Sequence, residues 1–400
     1  MTNRDVILLS TADWDNPFWT NKQHVACELS RLGYRVLYVD SVGLRRPSAS
    51  ASDMKRIIGR IRKAFALPRR VRDGVWVVSP MLLPFHGNSV VGRVNRSLLG
   101  FSFAVWSRIV GLKPSVLWTY NPITTQLVDL DRFATVVYHC VDDVKAQPGM
   151  PFEAIDSREK ELVRESDVIF VTAEPLLEGR RDINPNTIYY PNVADYVHFS
   201  SAGSSGVQVP SDIATLKGPV IGFVGAISSY KIDFELIVGI ARRRPDWNIV
   251  LVGKVGEGDP WTCAELLSAA PNVHLLGPRP YADLPAYLKG MNVAIMPNML
   301  NDYTLGMFPM KFFEYLAAGL PVVSVRLDSL REFAHVCRFA SGADEFVSEI
   351  EASLMDDSVA KERGQIEARR HTYESRTVAM LNDIGRLSKQ RKSEMFDLQA

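Results

Sequence analysis

Four hundred residues, 46% apolar and 23% charged, suit a globular chain with two separate cores and exclude a fibrous or wholly disordered one. The net charge of +1 offers no overall field for nucleic acid, so an electrostatic partner must be met locally. Cys27, Cys140, Cys263 and Cys337 are widely spaced and make no CxxC pair, which predicts reduced thiols and no structural zinc. After Met-Thr-Asn-Arg-Asp the apolar run is too short for a signal peptide or a spanning helix. The expectation is a cytoplasmic protein with at most peripheral membrane contact.

In chain order, short apolar runs alternate with amphipathic segments, the pattern of a doubly wound α/β sheet. Strands are predicted at Val6–Ser10, Val36–Val39, Val75–Ser79, Val116–Tyr120, Thr135–Cys140 and Val168–Thr172. Helices are predicted at Phe18–Leu32, Val91–Val110, Phe152–Glu165 and Pro175–Arg181. Between Arg45 and Arg72 lie ten Lys or Arg and one acid, Asp53. There Met54, Ile57, Ile58, Ile61 and Phe65 recur at helical spacing, so residues 53–66 read either as a basic amphipathic helix for an anionic membrane surface or as a packed helix with a solvated face. The run lacks interleaved aromatics for stacking on bases, which argues against nucleic acid.

Residues 200–218, rich in Ser, Gly and Ala, read as a linker. Alternation then restarts: strand Val220–Val224, helix Asp233–Arg243, strand Ile249–Val252, helix Trp261–Ala269, strand Val273–Leu276, helix Ala282–Leu288 and strand Val293–Met296. Two similar α/β halves follow, 1–199 and 219–373, with the cleft between them as the expected site.

The most informative stretch is Phe308 to Val325. Pro309 suits a first helical position and Gly319 with Pro321 a stop, giving a helix of about three turns. Phe312, Phe313, Leu316 and Leu320 form its apolar stripe, leaving Lys311 and Glu314 for a ligand. Phe308 at the expected N-cap cannot accept a hydrogen bond, so the helix start is a candidate anion site. Two further loops follow strands: Gly225 to Asp233, where Gly225 permits close approach and Lys231 could neutralise a phosphate, and Gly277-Pro278-Arg279, a turn that could read a base edge.

The order Asn301, Thr304, Pro309, Lys311, Glu314-Tyr315-Leu316-Ala317, Gly319, Pro321-Val322-Val323, with the Gly225 loop and Asn272-Val273-His274-Leu275-Leu276-Gly277 before it, resembles the donor domain of GT-B glycosyltransferases of the family 4 (group 1) type. The resemblance covers most of residues 219–325. It implies two Rossmann-like domains facing a cleft, a nucleotide-sugar donor, a retaining transfer, and a C-terminal helix near 374–400 packing back on the first domain; the helix start at Pro309 with Lys231 would stabilise the leaving diphosphate without metal. Glu314 would bind ribose hydroxyls, and Lys231, with Lys311 second, would face the diphosphate. The first glutamate of the family's Glu-x7-Glu pattern is replaced here by Gly306, which leaves the sugar contact open. Gly225, Gly277, Arg279, Thr304 and Pro309 complete the donor candidates.

The first half is similar, more loosely, to relatives acting on cell-surface polymers such as teichuronic acid, at Trp14 to His24 and Val137 to Asp143. Trp14, Phe18 and Trp19 would offer flat faces to a lipid-linked or polysaccharide acceptor, or else cover the core. Asp142 and then His139 are the candidates to orient or deprotonate the acceptor hydroxyl. Asp13-Trp14-Asp15 and Asp129-Leu130-Asp131 have a metal-site spacing but lie away from the donor motif and read as chance. The alternatives are a GT-B-like UDP-sugar epimerase and a non-catalytic, membrane-attached component of a polysaccharide assembly complex.

Overall fold

The computed structural model describes residues 4–397 apart from 17–18, 43–65, 84–88, 258, 260 and 356–357. The basic segment expected to form a helix near 53–66 and the candidate Phe18 therefore lie outside the described residues, Ala66 excepted. The chain forms two compact units, Met1–Tyr190 with Thr377–Ala400, and Pro191–Arg376.

Among the described residues of the first unit, eight strands follow the spatial order β3-β4-β2-β1-β5-β6-β7-β8. They are β1 (Asp5–Leu9), β2 (Arg35–Val39), β3 (Arg69–Arg72), β4 (Val75–Val78), β5 (Val116–Thr119), β6 (Thr135–Cys140), β7 (Val168–Val171) and β8 (Thr187–Tyr189). All pairings are parallel except β3 with β4. Side chains alternate across a strand, so Ile7 and Leu9 enter one core and Val6 and Leu8 another, on opposite faces. β1 is buried along its whole length, as a strand covered on both faces must be. The helix Asn21–Arg31 starts three residues later than expected, because the Gln23 side chain accepts the Thr20 N–H at 3.1 Å and fixes Thr20 as the cap. β3 was not expected: three arginines do not read as a strand, and only pairing with β4 at the sheet edge makes them one.

The second unit carries six parallel strands in the order β11-β10-β9-β12-β13-β14. These are β9 (Val220–Val224), β10 (Asn248–Val252), β11 (Val273–Gly277), β12 (Val293–Met296), β13 (Val322–Ser324) and β14 (Arg338–Phe339). From β9 the chain winds outward through β10 and β11, then returns to place β12 on the other side of β9. The β9/β12 neighbourhood is thus the topological switch point, where strand ends leave room for a ligand.

Two expectations need correction. The stretch 200–218 is not a free linker: Ala202 and Ile213, on short helical turns, are buried, and Ile213 joins the second unit's core together with Phe199 just before the stretch. The crossing falls instead between Tyr190 and Pro191, and Ala194 bridges to Thr372. The helix expected at Trp261–Ala269 shrinks to Glu265–Ser268, since Asp259 accepts bonds from the Thr262 hydroxyl (2.9 Å) and the Trp261 N–H (3.2 Å) and holds a turn there. The C-terminal helix Tyr373–Asp397 places Met380 and Ile384 in one core of the first unit, with the Tyr190 hydroxyl donating to Asp383 at 2.7 Å.

Candidate functional site

At the switch point of the second unit, the loops after β9 and β12 are stitched to each other. The Met299 N–H donates to Lys231 O (2.9 Å), the Asp233 N–H to Pro297 O (2.7 Å) and the Asn301 side chain to Tyr230 O (2.8 Å). Lys231 Nζ lies 5.3 Å from the Tyr230 ring centre and 5.7 Å from that of Tyr303, so two aromatic faces hold its charge. Beside them runs the helix Lys311–Ala317, tied to the end of β9 by the Tyr315 hydroxyl, which accepts the Val224 N–H (2.8 Å) and donates to Val224 O (3.1 Å).

This helix differs from expectation. It has seven residues, about two turns, and begins two positions after Pro309, whose carbonyl accepts the Phe312 N–H in a tight turn. Phe308 is packed among Phe312, Phe313 and Phe333 and is not a cap. Pro309 is buried in the turn. Nor are the two charges independent: Lys311 Nζ donates to Glu314 Oε2 at 3.0 Å, with the glutamate side chain only 6% exposed and the lysine 28%. The pair therefore replaces the helix start as the electrostatic feature of the site.

Gly225 is where the two loops close on this pair. A Cβ there would stand 2.9 Å from the Phe223 ring and 3.6 Å from Lys311 Cε. Gly253, at the end of β10, is tighter still: a Cβ would fall 1.7 Å from Gly225 O. The structure thus brings Gly225, Lys311 and Glu314 together, with Lys231 at the far end of the Gly225 loop. Thr304 is fully buried and its hydroxyl donates to the backbone at Met299, while its N–H bonds Asn301 Oδ1 (3.0 Å); it caps a turn and presents no group to a ligand. Arg279 likewise is engaged elsewhere, with Asp212 (2.9 Å) and the Tyr287 hydroxyl (2.5 Å). Gly277, with φ of 73°, ends β11 in a conformation that favours glycine, and space around its Cα is open.

Sequence reasoning missed Tyr281. Burial raises its phenol pKa, and the carboxylates Glu314 and Asp195 raise it further. The ring also stacks on His198 at 4.2 Å. Its only signal was position, just past the Gly277 turn.

In the first unit the acceptor-side candidates separate. Trp14 is buried, edge-on to Trp19 (5.2 Å) and Tyr38 (5.1 Å), and serves the core rather than a ligand. Trp19 is half-buried, with the Arg72 guanidinium 5.4 Å over its ring. His139, on β6, is also fully buried and stacks on Tyr120 at 4.8 Å, so it meets aromatic rings and not solvent. Asp142 lies half-buried in the turn that follows β6.

That turn is anchored by a charged cluster which the sequence did not reveal. Arg180 donates to Glu159 Oε1 at 2.5 Å, and the Tyr138 hydroxyl donates to the same oxygen at 2.7 Å. Lys145 meets Asp156 at 2.6 Å and Glu159 at 3.4 Å. Burial pushes the Glu159 carboxyl up, but Arg180 and Lys145 outweigh it and hold it below the usual range. Asp143 goes the other way: burial raises it, its Oδ1 has no hydrogen-bond partner, and Arg180 is 3.9 Å away. Among the described residues no group of three or more His, Cys, Asp or Glu gathers as a metal site.

Residues 218–356 match the family model described as "Glycosyl transferases group 1". The chain is 30% identical over 231 residues to the "Putative teichuronic acid biosynthesis glycosyltransferase TuaH" of Bacillus subtilis, a match covering 53% of this chain and 56% of that protein. The chain thus spans about half the length of that relative. Among solved structures, sucrose-phosphate synthase from Thermosynechococcus elongatus superposes with a TM-score of 0.67 at 15% identity, covering 98% of this chain and 100% of that one. HepE of Anabaena, in complex with UDP and glucose, gives a TM-score of 0.65 at 14% identity, over 98% and 99% of the two chains. At these identities the structural likeness establishes the fold, which is GT-B.

Proposed function

We propose, from a GT-B chain whose residues 218–356 match the group 1 glycosyl transferase model, that it moves a sugar from a nucleoside-diphosphate sugar to a lipid-linked or polysaccharide acceptor in cell-surface glycan synthesis. The observation that carries this reading is the Lys311–Glu314 pair against Gly225, at the strand ends where the sheet order reverses. The ammonium of Lys311 would turn to the diphosphate, freeing Glu314 to accept hydrogen bonds from ribose hydroxyls. Lys231 would add charge to the leaving group. Breaking the sugar–phosphate bond leaves negative charge on the diphosphate, and two fixed cations stabilise it without metal.

UDP is the first nucleotide to test, because the HepE structures hold UDP and UDP-glucose. The likeness to TuaH supports a teichuronic-acid-like polymer as the acceptor class; a lipid-linked precursor as acceptor and a cytoplasmic site of action are proposed with it. Retention of anomeric configuration is the corresponding stereochemical expectation. Asp142, in the turn after β6, is the group we assign to the acceptor hydroxyl, ahead of the enclosed His139. Gly306 supplies no carboxylate to the transferred sugar.

The test is calorimetric titration with UDP, GDP, ADP and dTDP, without metal and then with magnesium, followed by incubation with the matching UDP-sugar alone and with an acceptor. Metal-free binding of one diphosphate and transfer only with acceptor support the reading. Epimerised sugar without acceptor would replace it by an epimerase, and binding without any turnover by a non-catalytic component.

A further inference from the structure

The first unit carries an apolar surface that the donor site does not use. The helix Ser89–Val110 is 22 residues long, about 33 Å. One face, with Leu99, Phe103 and Trp106, lies in the core. The other exposes Val90, Val94, Phe101, Val105 and Ile109, with Phe101 71% and Val90 58% exposed. At about 100° per residue these positions fall within an arc about 100° wide, a continuous stripe along the helix. Leu83, also exposed, is held beside it by two hydrogen bonds with buried Asn95.

Charge indicates what covers this stripe. The helix contains Arg93, Arg96 and Arg108 and no acidic residue. Arg96 is spent on the carbonyls of Thr125 and Val128, whereas Arg93 and Arg108 are exposed, Arg108 on one edge of the arc and Arg93 beyond that same edge. The neighbouring acid Asp129 pairs with Arg132, whose guanidinium lies against Gly100 on the flank nearer the core. Two copies packed stripe to stripe would bring like-charged arginines together. An anionic lipid surface satisfies both features, taking up the apolar arc and pairing its headgroups with the arginines. Among the described residues no helix is long and apolar enough to cross a membrane, so the fit is to a surface.

We infer that the exposed Val90–Ile109 face of this helix docks on an anionic lipid bilayer. The inference deepens the reading of a lipid-linked acceptor, and it rests on that reading only for its purpose, since docking needs no sugar substrate.

The experiment is co-sedimentation of the full chain with vesicles of phosphatidylcholine and phosphatidylglycerol, against phosphatidylcholine alone, with UDP affinity measured in parallel. The expected result is binding to the mixed vesicles that falls about tenfold or more in Phe101→Ser with Val105→Ser. Arg93→Gln with Arg108→Gln, which keeps the stripe, should lose the preference for anionic lipid. UDP affinity should stay the same in both variants; its absence throughout would count against the donor reading and not against docking. Undiminished vesicle binding by the serine variant would overturn the inference in favour of another surface. So would a wild-type chain that ignores vesicles but forms a dimer which the serine variant loses.

Discussion

Lys311 Nζ and Glu314 Oε2 lie 3.0 Å apart, one helical turn from each other, before any ligand arrives. The buried glutamate is thereby aimed, and a diphosphate competing for the lysine would release it to hydroxyl groups. Glu314→Ala should weaken UDP binding by about 1 to 3 kcal/mol, the scale of losing a charged hydrogen bond, with a cooperative thermal transition retained. Calorimetry measures it, and unchanged affinity would remove Glu314 from the site. Lys311→Met should instead cost stability as well, because it strands a buried carboxylate.

Gly253 tests the loop geometry without touching a charge. An alanine methyl would collide with the carbonyl of Gly225, a backbone atom that can yield only if the loop moves. Gly253→Ala should lower stability by about 1 to 3 kcal/mol, as overpacking does, and weaken UDP binding along with it. Full UDP affinity in a folded variant would show that the Gly225 loop takes no part.

The Glu159–Arg180 contact governs stability rather than binding. Removing the guanidinium in Arg180→Met should cost about 3 to 5 kcal/mol near neutral pH, measured by urea unfolding, because Glu159 is left charged and buried.

The pH dependence has a definite sign. The folded-state pKa of Glu159 is depressed, so its contribution is present above the ordinary value of 4.5 and fades as pH falls through the folded value. Asp143 is raised, so its contribution is greatest below 3.8 and is lost as pH rises through the folded value. Asp143→Asn should therefore raise the neutral-pH urea midpoint, and the gain should vanish in acid. A lower midpoint at pH 7 would show that the ionised form is the favourable one.

Thiol chemistry should single out Cys263, which is exposed. Burial pushes the Cys140 thiol up to about 12 and raises Cys337 as well, so neither forms thiolate near neutrality. A disulfide reagent at pH 8 should give a fast phase that Cys263→Ser abolishes. A fast phase that survives would mean that half-buried Cys27 reacts or that a buried thiol becomes exposed.

The sequence by itself determined the strands and helices whose patterns are local. Thr135–Cys140, Phe152–Glu165, Val220–Val224 and Val293–Met296 fall where their apolar runs predict them, because periodicity and propensity act over a few residues. It also marked Gly225, for close backbone approach after a strand, and Lys311 and Glu314, as the charges left off the apolar stripe of their helix. Only the tertiary structure decided what each side chain meets. Arg279 was drawn to Asp212, Arg180 to Glu159, and Trp14 into the core beside Tyr38. Residues 191–218 joined the second unit because Phe199 and Ile213 found apolar partners there, despite a composition that reads as linker. These partners are separated by tens of residues along the chain, and burial and charge pairing over such distances leave no periodic trace in the sequence.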